Sequence, residues 1–169
     1  EIHYYRVWKG KGKDRFAGIC DVYGIEIIPP TKYQYNVFRS GNEKDGFYYI
    51  VEKDGFKGIC DELGNEIIPP TKYAYIVRFG NKEDGFYYEI SKNDCSGVID
   101  ESGKEIVFPN KYESVCRHGD KEEGFYYGVK KGGYYGICNE LGNEIIPPTK
   151  YTFIYRSGDK ERGFYYGVE

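Results

Sequence analysis

The chain has 169 residues, with 24 lysines and arginines against 27 aspartates and glutamates, 23 glycines, 20 tyrosines and no methionine. The net charge of −3 is spread with both signs interspersed, which leaves no basic footprint for nucleic acid. No apolar run is long enough to span a bilayer as a helix, and glycine among aromatic and β-branched residues is a strand-and-turn composition.

The first predicted element is a strand over His3-Tyr4-Tyr5-Arg6-Val7, followed by a hairpin through Lys11-Gly12-Lys13; residues 1–17 read as a partial repeat. From Gly18 one pattern of about 40 residues recurs four times, over 18–57, 58–96, 97–135 and 136–169, the last incomplete. The second copy shows it: Gly58-Ile59-Cys60-Asp61, Gly64, Glu66-Ile67-Ile68-Pro69-Pro70 and Lys72-Tyr73. Each copy then carries an arginine two residues ahead of a glycine (Arg39, Arg78, Arg117, Arg156), a charged loop, and Gly-Phe-Tyr-Tyr.

Turn chemistry divides each copy into short strands. Asp54-Gly55, Asn93-Asp94 and Gly132-Gly133 lie between apolar runs, and all three pairs tolerate the two positive φ angles of a tight hairpin. Asp61-Glu62-Leu63-Gly64 and Asn139 through Gly142 suit a type I turn closed by glycine. Phe47–Val51, Phe56–Asp61 and Glu66–Ile68 are therefore expected to form a meander. Pro69-Pro70 is expected to end the pairing, because proline has no N–H to donate. A further strand over Tyr73–Arg78 turns at Gly80 through Gly85 and pairs back onto Phe86–Ile90.

Alternation along Phe47-Tyr48-Tyr49-Ile50-Val51 assigns the faces. The fourth position holds Ile50, Glu89, Gly128 and Gly167, and a place that takes glutamate faces water. The second position then faces outward too. The row Tyr48, Tyr87, Tyr126 and Tyr165 is the candidate binding surface, since tyrosine offers rigid amphipathic area. The other reading is that these rings stack on neighbouring repeats and complete the packing.

Cys20, Cys60 and Cys138 share their place with Ile99, so that place is apolar and the thiols are expected to be buried and unpaired. Cys116 likewise matches Val77 and Tyr155, and Cys95 matches Phe56 and Tyr134, so these too are expected to be buried thiols. With His3 and His118 as the two histidines and no Cys-x-x-Cys, no zinc site is expected. The loops 42–45, 81–84, 120–123 and 159–162 lack calcium-loop spacing and carry a lysine or arginine. The series Glu26, Glu66, Glu105, Glu144 and Lys32, Lys72, Lys111, Lys150 are expected to pair across the Pro-Pro bend as structural ion pairs. His118 is placed in a polar loop. No catalytic constellation emerges, and no cofactor or metal is expected.

These residues resemble the bacterial WG-repeat family. Gly18-Ile19-Cys20-Asp21, Gly24, Ile27-Ile28-Pro29 and Tyr33 match its unit, as do the other three copies. The family's tryptophan is replaced by Ala17, Lys57, Ser96 and Tyr135, and Trp8 lies outside the repeats. The resemblance implies a β-repeat architecture with an interaction role and no reaction. The expected fold is all-β: four tandem antiparallel hairpin or meander repeats in an elongated, solenoid-like array, or alternatively a small closed four-bladed propeller. The expected function is a non-catalytic scaffold for protein partners, self-associating head to tail because the chain opens and closes on the same strand type. The alternative is a glycan-binding module at a bacterial cell surface using the tyrosine row.

Overall fold

The computed structural model describes residues 4–34 and 36–169. His3, assigned above to the first strand, lies outside the described residues. Among these there is no α-helix, only one turn of 3-10 helix at Gly12–Asp14. The fold is all-β, made of consecutive antiparallel sheets, none closed into a barrel.

The first sheet is a three-stranded meander of β1 (Tyr4–Lys9), β2 (Phe16–Asp21) and β3 (Glu26–Gln34). Three four-stranded meanders follow, and in each the strands sit in chain order. They are β4 (Val37–Asn42), β5 (Gly46–Lys53), β6 (Phe56–Cys60) and β7 (Glu66–Tyr73); then β8 (Tyr75–Asn81), β9 (Gly85–Lys92), β10 (Cys95–Asp100) and β11 (Glu105–Tyr112); then β12 (Ser114–His118), β13 (Tyr126–Lys131), β14 (Tyr134–Cys138) and β15 (Glu144–Tyr151). A two-stranded hairpin, β16 (Ile154–Asp159) and β17 (Gly163–Val168), completes the chain as described. Two compact units are distinguished, 1–76 and 77–169.

The tight hairpins form as the residue pairs dictate. Both central residues have positive φ: Asp54 and Gly55 at 52° and 81°, Asn93 and Asp94 at 50° and 61°, Gly132 and Gly133 at 57° and 82°. The second turn is an Asx turn: Asp61 Oδ1 accepts from the backbone N–H of Leu63 and Asn65 at 2.9 and 2.8 Å. Asp21, Asp100 and Asn139 accept equivalent pairs of N–H groups.

The prolines do not end the pairing. β7 continues through Pro69-Pro70, with Ile59 opposite Ile68 and Lys57 opposite Tyr73. Two steps along β6 are matched by five along β7, so the prolines sit in a bulge where no ladder N–H is required. Tyr73 therefore closes β7 instead of opening the next strand. The first, third and fourth sheets repeat this register with Ile19 opposite Ile28, Val98 opposite Val107, and Ile137 opposite Ile146.

The cores lie between sheets. In the first unit, Ala17, Ile19, Ile28 and Tyr33 of one sheet meet Val37, Tyr49, Val51 and Cys60 of the next. In the second unit, Val98, Val107 and Tyr112 meet Val115, Tyr127, Val129 and Cys138. Each buried aliphatic side chain contributes about 1.5–3 kcal/mol, so one sheet alone has no core and its neighbour supplies it. Cys20, Cys60 and Cys138 are buried and all five cysteines are free. Cys116 and Cys95 differ from the buried-thiol expectation: Cys116 is exposed on β12, and Cys95 is half-buried at the hairpin that opens β10.

Candidate functional site

The expected row of outward tyrosines is only partly open. Within each Tyr-Tyr pair the second ring is the more buried, as alternation requires, with Tyr49, Tyr88 and Tyr127 at 5% exposure or less. Tyr48, however, is itself buried, Tyr87 and Tyr126 are half-buried, and Tyr165 alone of the four is exposed, at 64%. At Tyr87 and Tyr126 the cover comes from the repeated arginines. Arg117 lies 4.0 Å from the Tyr87 ring centroid and 4.1 Å from that of Phe125 in its own sheet. Arg156 repeats this with Tyr126 and Phe164, at 4.1 and 3.9 Å. In the first unit Arg39 sits over Tyr4 and Phe47. Arg117 and Arg156 also donate to the carbonyls of Gly85 and Gly124 at 3.1 and 3.0 Å, capping the loop of the preceding sheet. A desolvated guanidinium over an aromatic ring is worth up to about 2 kcal/mol, so these stacks are clamps between sheets.

A second repeated cluster joins sheets. Lys32 Nζ lies 3.0 Å from Glu66 Oε2, and Lys111 Nζ lies 2.6 Å from Glu144 Oε1. Each lysine thus reaches the glutamate of the following sheet, not the one across its own Pro-Pro bend. The reason is the bulge, beyond which β3 packs against β5. Tyr33 donates to Glu66 at 2.6 Å and touches Cys60 Sγ at 3.6 Å; Tyr112 does the same with Glu144 and Cys138. Burial favours protonated Glu66, but the Tyr33 hydrogen bond and Lys32 outweigh it and hold the carboxyl below its ordinary range. The Lys111 contact and then Tyr112 lower Glu144. Burial pushes the Cys60 thiol up to about 11, so little of it is thiolate at neutral pH.

The charged loops use their side chains internally. Asn42, Asp120 and Asp159 each accept a loop N–H through Oδ1 at 2.7–2.8 Å, and Asn81 accepts two. Among the described residues no group of histidine, cysteine and carboxylate side chains is placed to hold a metal.

One site breaks the repetition. Between the sheet β12–β15 and the hairpin β16–β17 lies a cleft of about 510 Å³. Its floor is Cys116 and Gly128, directly paired across β12 and β13. Tyr126, Tyr135, Phe153 and Tyr155 line its sides, with Ser114, His118 and Thr152 as its polar groups. His118 is no loop residue: it ends β12 and stacks on Tyr126, with centroids 5.2 Å apart and planes at 25°. Burial of the imidazole and then Arg156 push His118 below its ordinary range, which keeps it neutral at pH 7. The sequence offered a signal for this cleft in the fourth-position series, where Gly128 replaces Ile50 and Glu89.

Among the described residues no helix is long and apolar enough to cross a membrane. No curated protein and no solved structure matches the chain. The family model described as "WG containing repeat" matches residues 58–94, 97–135 and 135–160, more than half of the chain. In each matched copy the strand glycine closely approaches the bulge proline (Gly58 with Pro70, Gly97 with Pro109, Gly136 with Pro148), and Gly18 with Pro30 does the same in the first copy. These three consecutive matches, set in sheets of one register, make the chain a member of the WG-containing repeat family.

Proposed function

We propose that this chain is a non-catalytic interaction scaffold that associates with further copies of itself through the open faces of its first sheet and its last hairpin. The observation that carries this is a change of exposure at equivalent positions. Tyr5 pairs with Cys20 in the register in which Tyr49 pairs with Cys60 and Tyr127 with Cys138. Tyr49 and Tyr127 are 2% and 5% exposed between sheets, whereas Tyr5 is 57% exposed. On the last hairpin Tyr165 is 64% exposed, where Tyr48 is buried and Tyr87 and Tyr126 are half-buried. The packing that covers Tyr49 and Tyr127 is sheet against sheet, so the exposed rings of Tyr5 and Tyr165 suit a further repeat unit as partner.

Sedimentation velocity across a concentration series tests the reading. Species that grow with concentration, and that Tyr5→Glu or Tyr165→Glu abolishes while the β-sheet circular dichroism is retained, are the expected result. A monomer unchanged across the series would overturn it. The glycan reading has less to stand on, because stacking needs a free ring face and those of Tyr87 and Tyr126 carry Arg117 and Arg156.

A further inference from the structure

The cleft over Cys116 and Gly128 is built by substitutions at one cross-strand pair. In the second sheet that pair is Phe38 and Ile50, and on the last hairpin it is Tyr155 and Gly167. In the third sheet Val77 and Glu89 hold the equivalent positions. Cys116 with Gly128 is the smallest combination of the four, and that is where the space opens. On the hairpin the tyrosine ring lies on its glycine: a Cβ on Gly167 would collide with the Tyr155 ring. At Gly128 the edge of the His118 imidazole takes that place, its Nε2 and Cδ2 3.1 and 3.4 Å from where a Cβ would stand. The walls are held in place, Tyr126 by Arg156 and His118, and Tyr135 by Lys130 at 5.3 Å.

We propose that this cleft is a binding site for a small, uncharged, planar aromatic compound of two or three fused rings. No Lys, Arg, Asp or Glu side chain lines it, on a chain rich in all four. An ion entering would lose its hydration with no counter-charge to replace it. A sugar ring carries many hydroxyls, each costly when left unpaired, and the cleft has no Asp, Asn, Glu, Gln or Arg to pair them. A flat aromatic ring needs only stacking surface and one or two polar contacts. Tyr135, Phe153 and Tyr155 offer the first, and Ser114, Thr152 and His118 the second. The volume suits a small ligand of this kind. Rings already held by their neighbours cost little ordering on binding.

The test uses 2-naphthol as the probe, followed by its own fluorescence, with methyl β-glucopyranoside as the comparison. Saturable binding of 2-naphthol is expected, together with shifts of the Gly128 and Gly136 amide signals in nuclear magnetic resonance spectra. Gly128→Ile, the residue of the second sheet, should weaken it by roughly tenfold or more, as should Cys116→Phe, which keeps the test open if the first variant does not fold. On the unaltered chain, 2-naphthol should slow alkylation of Cys116 by N-ethylmaleimide, read site by site by mass spectrometry. Absence of saturable binding, undiminished binding by a folded variant, or protection of Cys116 by the glucoside and not by 2-naphthol would each overturn the proposal.

Discussion

Gly58 and Pro70 approach so closely that a Cβ on the glycine would stand 2.7 Å from the proline nitrogen. Gly18 with Pro30, Gly97 with Pro109, and Gly136 with Pro148 repeat the approach at 2.7–2.8 Å. The repeat glycine has no positive φ here; it is required because the proline bulge folds down onto the strand beside it. Gly58→Ala should therefore destabilise the chain by about 1–3 kcal/mol through overlap with backbone that cannot give way. Gly132→Ala, in a hairpin where nothing lies within 4 Å, should lose only the cost of its φ of 57°, about 1–2 kcal/mol. Urea midpoints of the two variants, measured side by side, check the order.

Arg117 stacks on Tyr87 and donates to Gly85 across sheets and also stacks on Phe125 beside it, so its removal takes away more than charge. Arg117→Ala should lower stability by about 2–4 kcal/mol. Arg117→Lys should recover only a minor part, because an ammonium lacks the planar fork that lies on both rings and reaches Gly85. Equal stability of the lysine variant and the parent in urea unfolding would show that charge alone suffices.

Glu66 and Glu144 have carboxyls held below their unfolded range, so the unfolded chain binds their protons first as pH falls. Their contribution is complete above the unfolded value of about 4.3 and is lost as pH drops through the depressed folded values. Melting temperature should accordingly fall on acidification below about pH 5. In the double variant Glu66→Gln, Glu144→Gln that acid limb should be shallower, starting from a lower plateau. A limb of unchanged slope would place the acid sensitivity elsewhere.

The cysteines should divide by accessibility. Cys116 should be alkylated in the native state, while Cys60 and Cys138, each 0% exposed, should react only on unfolding. The Cys60 thiol is further protected by its rise to about 11, which leaves almost no thiolate at neutral pH. Time-resolved alkylation with peptide mapping checks this, and native-state labelling of Cys60 at the rate of Cys116 would contradict the packing between the first two sheets.

The sequence by itself determined the turns, the strands that flank them, though not where those at the prolines end, the period and the apolar place of Cys20, Cys60 and Cys138. The reason is that these follow from short-range requirements. Two positive φ angles at Asp54-Gly55 and the Asx turn at Asp61 are settled within four or five residues, and a position shared with Ile99 reports its own burial. Only the tertiary structure decided what happens between sheets. Tyr33 meets Glu66 and Arg117 meets Gly85 across more than 30 residues of chain. No local pattern says that the arginine of one repeat will cover the tyrosine of the preceding one, or that a lysine will pass its own repeat's glutamate for the next. The proline bulge was hidden for the same reason: two prolines in a row read as the end of a strand until the opposing glycine is seen to make room for them. The cleft over Gly128 was visible in the sequence only as a missing side chain, and became a cavity once the neighbouring hairpin left that space unfilled.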